Sequence, residues 1–74
     1  MIDYSTMDDK ETFVPHHMRG AYQRYIEHEI EAGSFGMAII NLDGDMARRR
    51  ADPVNIHYIE TQMAWVKKYI KGGK

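Results

Sequence analysis

The sequence predicts an all-α protein: a small antiparallel bundle of three helices, preceded by a mobile acidic N-terminal arm. Apolar residues recur at three- and four-residue steps in three segments, which is typical of helices with one buried face. Glycine or proline separates these segments, at Gly33 and at Pro53. The chain has 74 residues, enough for one domain. A chain of this size buries only about 60% of the surface that its unfolded form exposes.

Residues 1–12 are predicted to form a disordered arm because they are polar, acidic and without periodicity. Asp3, Asp8, Asp9 and Glu11 are accompanied by a single base, Lys10. The alternative is that this acidic arm docks on a basic surface of a partner or of a neighbouring subunit. Residues 13–71 then form a single helical domain, and residues 72–74 form a frayed C-terminus.

The first helix is predicted to run from Pro15 to about Ala32. Pro15 suits a first helical turn, where no amide hydrogen is needed. Gly33 is expected to stop this helix in a left-handed conformation, and Ser34 is expected to cap the next one. The apolar stripe that must be buried comprises Met18, Ala21, Tyr22, Tyr25, Ile26 and Ile30.

The second predicted helix, from Ser34 to Arg50, is the most hydrophobic segment of the chain. Gly44 interrupts its pattern between two aspartates. The pattern is compatible with one helix weakened at this glycine or with two shorter helices that meet there. We expect the weakened single helix.

The third helix is predicted to run from Pro53 to about Lys71, with Asp52 as its N-cap. Its inner seam consists of Ile56, Ile59, Met63, Val66 and Ile70. A second stripe lies on another face: Tyr58, Gln62, Trp65 and Tyr69. These rings either stay half exposed or form an interface, for which tryptophan and tyrosine are favoured. Because the core is small and has no disulfide to reinforce it, we expect this stripe to join copies into a homo-oligomer.

Six polar residues are candidate contacts for an anionic ligand: Arg19, Arg24, Arg48, Arg49, Arg50 and Asn55. Three of the arginines end the second predicted helix, where cations stabilise the helix dipole without any ligand. Alternatively, they grip a phosphate beside the start of the third helix, since the amide hydrogens of a helix N-terminus attract anions. An aspartate at that cap competes with the second interpretation.

No catalytic, metal or cofactor site is predicted. The chain has no cysteine, and its four histidines include no pair at the four-residue spacing that brings two rings to one metal: His16, His17, His28 and His57. No nucleophile–base arrangement and no glycine-rich phosphate loop is recognisable, so we expect a protein that is not an enzyme. No apolar run approaches the roughly 20 residues of a membrane span, so we expect a cytoplasmic protein without a membrane partner.

The sequence between Pro15 and Asn55 contains a series of short motifs at fixed distances from one another. They are His17 with Arg19, then Arg24-Tyr25-Ile26-Glu27-His28 with Ile30, Gly33-Ser34-Phe35, Asp43, and Arg50-Ala51-Asp52 with Asn55. In this respect the chain resembles a family of small uncharacterised proteins found in bacteriophages, prophages and their bacterial hosts. Two positions depart from the family pattern: Leu42 stands where the family has asparagine, and Gly44 stands where it has leucine.

The resemblance implies a short helical, phage-encoded accessory protein that acts in the cytoplasm of the infected cell. Such a protein would work by stoichiometric binding, either blocking a host protein or sequestering an anionic, nucleotide-like ligand, and could thereby act against host defence. The alternative is a small nucleic-acid-binding regulator that uses the same arginines and the C-terminal lysines. The net charge of −1 lacks the strongly basic footprint that nucleic-acid binding favours.

Overall fold

The computed structural model describes residues 2–71 and confirms the all-α class, with four α-helices rather than three. They are α1 (His16–His28), α2 (Gly33–Ile40), α3 (Gly44–Arg50) and α4 (Ile59–Val66), and a π-helical turn over Lys67–Lys71 continues α4. Short 3₁₀ turns cover Tyr4–Asp8, Lys10–Thr12 and Asn55–His57. The described part of the chain contains no strand.

Helix α1 ends four residues earlier than its apolar pattern predicts. Glu29 adopts the left-handed conformation with φ of 57°, and its amide donates to the carbonyl oxygens of Arg24 and Tyr25. These bonds satisfy the last carbonyls of the helix, as left-handed caps commonly do. Gly33 also has a positive φ, 82°, but it opens α2 instead of closing α1.

The second predicted helix is two helices, so the expectation of one weakened helix is wrong. Leu42 has φ of 58°, which no continuing right-handed helix accepts. Asp43 then caps α3, because its carboxylate accepts from the amide of Met46 at 3.1 Å. The aspartate before Gly44, more than the glycine itself, supplies the start signal for the new helix.

The third predicted helix begins six residues late, at Ile59. Asp52 does act as a cap: its Oδ1 accepts from the amides of Val54 at 3.0 Å and Asn55 at 2.7 Å. What it caps is a short 3₁₀ turn, and Ile56, assigned to the inner seam by its spacing, is 43% exposed there. The four other members of that seam, all on α4 or its continuation, are buried or half-buried.

The N-terminal segment, residues 2–12, is packed against the core, in contrast to the predicted mobile arm. Met7 is 1% exposed, and its carbonyl accepts from the amide of Val14 at 2.9 Å. The indole Nε1 of Trp65 donates to the hydroxyl of Thr6 at 2.9 Å, and the ring of Tyr4 stacks 6.4 Å from the indole. The predicted frayed C-terminus, 72–74, lies outside the described residues.

The aromatic stripe of α4 is covered by this N-terminal segment. Gln62 and Trp65 are completely buried within one chain, so the prediction that they form a subunit interface is wrong. Tyr22 stacks on the other side of Trp65, with ring centroids 6.2 Å apart. Tyr58 packs on Phe13, so only Tyr69 of the predicted interface lines an open cleft.

Candidate functional site

Arg19, a predicted ligand contact, holds the N-terminal segment in place. Its Nε donates to the carbonyl of Val14 at 2.7 Å and its Nη2 to that of Met7 at 3.2 Å. Its Nη1 pairs with Asp8 at 2.8 Å, and the guanidinium lies 5.5 Å from the ring centroid of Phe13. These contacts use the donors of the guanidinium, so the prediction of a ligand contact here is corrected to a structural role.

Asn55, the one amide among the predicted ligand contacts, is 3% exposed and belongs to a buried polar chain. The hydroxyl of Tyr22 donates to Oε1 of Gln62, and Nε2 of Gln62 donates to Oδ1 of Asn55 at 3.1 Å. This chain ties α1 to α4 and to the turn before it. Asn55 is therefore unavailable to a ligand, because buried polar groups are held by the partners that satisfy them.

His17 and Asp52 form a contact between the start of α1 and the turn after α3. Nε2 of His17 lies 3.1 Å from Oδ2 of Asp52, while Oδ1 of Asp52 binds the two amides of the turn. The amide of Asn55 is the main cause that lowers the pKa of Asp52, and His17 lowers it further. The motif residues His17, Asp52 and Asn55 thus meet in one structural network that positions the turn.

The pKa of Asp52 provides a test of this network. Its carboxyl is expected to titrate below 3.8, because the Asn55 amide and His17 both favour the ionised form. Stability from this group is present above the unfolded-state pKa and is lost as the pH falls through the folded-state value. In His17→Ala the midpoint should rise but stay below 3.8, since the Asn55 amide still donates. Carbon-13 NMR of the carboxyl measures both values, and an unchanged midpoint would contradict the contact.

The remaining arginines lie on the surface. Arg24, Arg49 and Arg50 are exposed, and among residues 2–71 their side chains take part in no hydrogen bond or ion pair. Arg48 lies 3.4 Å from Asp45, one turn earlier on α3. The six predicted contacts are therefore not assembled into one pocket: two are used internally, and three of the others line none of the clefts described below.

A continuous surface on α3 and α4 combines apolar and basic side chains. One cleft of about 460 Å³ lies between Arg48, the 3₁₀ turn at Ile56 and the first turn of α4. A second, of about 350 Å³, lies between Leu42 and α4. The two clefts share Glu60. We call this the α3–α4 surface, and its members are Leu42, Arg48, Ile56, His57, Glu60, Met63, Ala64 and Lys67.

Two features of the backbone shape the α3–α4 surface. Leu42 keeps a left-handed conformation that costs a branched residue roughly 1–2 kcal/mol, and its side chain lines the second cleft. At Gly44, a Cβ would lie 3.6 Å from Nη1 of Arg48 and 3.9 Å from the sulfur of Met63. A larger side chain there would enter the space that joins these two residues.

The turn beside this surface exposes two large aliphatic side chains. Val54 is 50% exposed and Ile56 is 43% exposed, while Asn55 between them is buried. The hydrogen bonds with Asp52 and from Gln62 to Asn55 fix the backbone of this turn, so its two exposed apolar side chains have defined positions. Preorganised apolar side chains lose little conformational entropy on binding.

The helical spacing of apolar residues in the sequence does not identify Val54, Leu42 and Ile56 as functional candidates. Ile56 fits the spacing of a helix seam, and nothing in that spacing shows that the helix starts later. One available signal was the Asp43-Gly44 pair after Leu42, which is typical of a turn. The other was the Asp52-Pro53 pair, which is also typical of a turn.

Comparison with protein-family models, with curated proteins and with solved structures finds no match for this chain. Within residues 2–71, no three histidine, aspartate or glutamate side chains are grouped closely enough to hold a metal ion. In the same part of the chain, no helix has the length and apolar character that crossing a membrane requires.

Proposed function

We propose that this chain is a non-enzymatic accessory protein that binds a host protein stoichiometrically through the α3–α4 surface and the adjoining side chain of Val54. The observation that carries this proposal is the exposure of Val54 and Ile56 on a turn held by hydrogen bonds with Asp52 and Gln62. Interfaces depend on a few apolar anchors surrounded by polar residues, and arginine is the favoured charged residue among them. Arg48, beside Ile56 in the first cleft, meets that description.

The bacteriophage setting belongs to the proposal. The motifs around His17, Arg24 and Asp52 resemble the phage family, and this resemblance supports a setting in the cytoplasm of an infected cell, where blocking a host protein could counter a defence. Sequestration of a nucleotide-like anion is a less favoured version of the proposed binding function. Arg19 and Asn55 are already bonded within the chain, so the predicted anion site keeps only its exposed arginines.

The test is native mass spectrometry of tagged protein purified from infected host cells. The wild-type chain is expected to retain a host protein in a fixed ratio to itself. The double variant Val54→Ser, Ile56→Ser should lose that protein, because the two apolar anchors lose the surface they would bury. His16→Ser is the control: it removes an exposed side chain at the start of α1, outside the α3–α4 surface, and should retain the complex. Loss of the host protein from both variants, or from neither, would contradict the proposal.

A nucleic-acid-binding regulator is the second candidate, and the exposure of Arg49 and Arg50 at the end of α3 favours it. Affinity for nucleic acid falls steeply as salt rises from about 50 to 200 mM, because bound phosphates release counterions. Arg49→Ala with Arg50→Ala should then flatten the salt dependence of DNA or RNA binding. A protein partner held through Val54 and Ile56 would respond weakly to the same change of salt.

A further inference from the structure

We propose that a second cleft, at the junction of α1 with the π-helical turn, is the interface that joins two copies of this chain into a dimer. We call it the terminal cleft; its volume is about 580 Å³, and it shares no residue with the α3–α4 surface. It extends the proposed function, because it assigns a self-association surface to a part of the chain that the host-binding surface leaves free.

The floor of the terminal cleft is apolar and open. Ile26, Met37 and Ile70 are half-buried side chains that line it, together with Ile2 and the rings of Tyr25 and Tyr69. Half-buried apolar side chains gain roughly 25 cal/mol for each Å² that a partner removes from water. Tyr69 is also the remaining open member of the stripe that the sequence predicts as a subunit interface.

Acidic side chains line one side of the terminal cleft, and lysines lie beside the other side. Glu29 and Glu31 line the side formed by the end of α1. On the other side, Tyr69 and Ile70 belong to the Lys67–Lys71 turn, where Lys68 and Lys71 are exposed. Nζ of Lys68 lies 5.5 Å from the ring centroid of Tyr69, which lines the terminal cleft. Lys68 itself lines a neighbouring cleft with Asp9 and Glu11.

An exposed isoleucine lies between the two acidic residues. Ile30 is 50% exposed, and the left-handed cap at Glu29 turns the chain so that its neighbours Glu29 and Glu31 both face the cleft. Ile30 is therefore an exposed apolar side chain between two residues that line an apolar cleft. The same copy therefore carries both parts of a contact.

A two-fold axis makes these features complementary. In an isologous dimer, residue i of one copy meets residue j of the other, and j meets i in return. Ile30 of each copy would enter the terminal cleft of the other, and the acidic side of each would face the basic side of the other. A second copy is thus the partner whose charges and apolar surface match, and a domain of 74 residues has a small core that such burial reinforces.

The dimer presents two α3–α4 surfaces at once. A host protein that is itself oligomeric would then bind both, and the second contact would be intramolecular and strengthened by effective concentration.

Charge reversal tests the proposed dimer by sedimentation equilibrium. Wild-type chain is expected to be dimeric at micromolar concentration. The variant E29K/E31K and the variant K68E/K71E should each be monomeric, with dissociation constants raised roughly 100-fold or more by like charges that face each other. An equimolar mixture of the two should form a heterodimer, because one copy then carries only basic residues and the other only acidic ones. Recovery of the heterodimer shows that both variants are folded.

Directed disulfides locate the contact, because the chain has no cysteine of its own. A mixture of Ile30→Cys and Met37→Cys chains should form a mixed disulfide under mild oxidation. Val54→Cys mixed with Met37→Cys is the control and should give little, since Val54 does not belong to the terminal cleft. A monomeric wild-type chain, or charge-reversed variants that remain dimeric, would overturn the proposal.

These outcomes are separable from failure of the proposed function. A monomer that still retains its host protein through Val54 and Ile56 refutes only the dimer. A dimer that retains no host protein refutes only the host-binding function.

Discussion

Met7→Ala is expected to lower the free energy of unfolding by about 2–5 kcal/mol, the usual cost of truncating a buried methionine. Met7 is 1% exposed although it lies in a segment whose composition predicts a disordered arm. A domain of this length has roughly 4–11 kcal/mol of total stability, so the loss would leave a large part of the molecules unfolded near body temperature. Urea denaturation followed by the fluorescence of Trp65, the single tryptophan, measures the change.

Lys10→Ala is the matched control, in the same segment but with an exposed side chain. It should change the free energy of unfolding by less than about 0.5 kcal/mol. If Met7→Ala proved as harmless as Lys10→Ala, residues 2–12 would not be packed on the core. The aromatic stripe of α4 would then lose its cover and again be a candidate subunit interface.

Gln62→Leu is expected to be the most damaging polar substitution, with a loss of about 2–5 kcal/mol. The side chain of Gln62 is completely buried and bonds both the hydroxyl of Tyr22 and the carboxamide of Asn55. Leucine has a similar volume but leaves both partners without a bond, and each unsatisfied buried group costs roughly 1–3 kcal/mol. Thermal and urea denaturation give the change in stability.

Gln23→Leu provides the control, because Gln23 is exposed and bonds only Glu27 across one turn of α1. It should have an effect near zero. Adding Tyr22→Phe to Gln62→Leu should cost little more, since the orphaned hydroxyl is removed with it. Equal losses from Gln62→Leu and Gln23→Leu would show that the buried chain contributes nothing.

Tyr22 adds a pH dependence to the same buried chain. Burial raises the pKa of its hydroxyl well above the ordinary value of 10.0, so the folded state favours the neutral form. The resulting stability is present in full below pH 10 and is lost as the pH rises toward the folded-state pKa. The stability difference between the wild-type chain and Tyr22→Phe should therefore shrink between pH 9 and pH 11. A constant difference would contradict burial of this hydroxyl.

Local patterns identified what short-range chemistry controls. The all-α class, the boundary at Asp52-Pro53 and the capping by Asp52 follow from periodicity and from the hydrogen-bonding capacity of one side chain. The break near Gly44 was visible too, although its interpretation as one helix was wrong. Whether the helix continues past this point depends on Leu42. Its left-handed backbone conformation is unfavourable for leucine and is imposed by the surrounding fold.

Contacts between distant residues were beyond the reach of those patterns. Trp65 and Thr6 are 59 positions apart, and so are too distant for any periodicity to relate them. The same holds for Gln62 with Tyr22 and for His17 with Asp52. As a result, the sequence assigned Trp65 to an interface, and it assigned Arg19 and Asn55 to a ligand.

The amino-acid sequence by itself determined a small helical domain without disulfides, the boundary at Asp52-Pro53 and the residues with polar or basic side chains. Only the tertiary structure decided which of those residues remain on the surface. The physical reason is the small core: a chain of this length has too little apolar surface to bury, so its acidic N-terminal segment must contribute Met7 and Thr6 to cover α4. That cover closes one aromatic face and leaves the α3–α4 surface and the terminal cleft open.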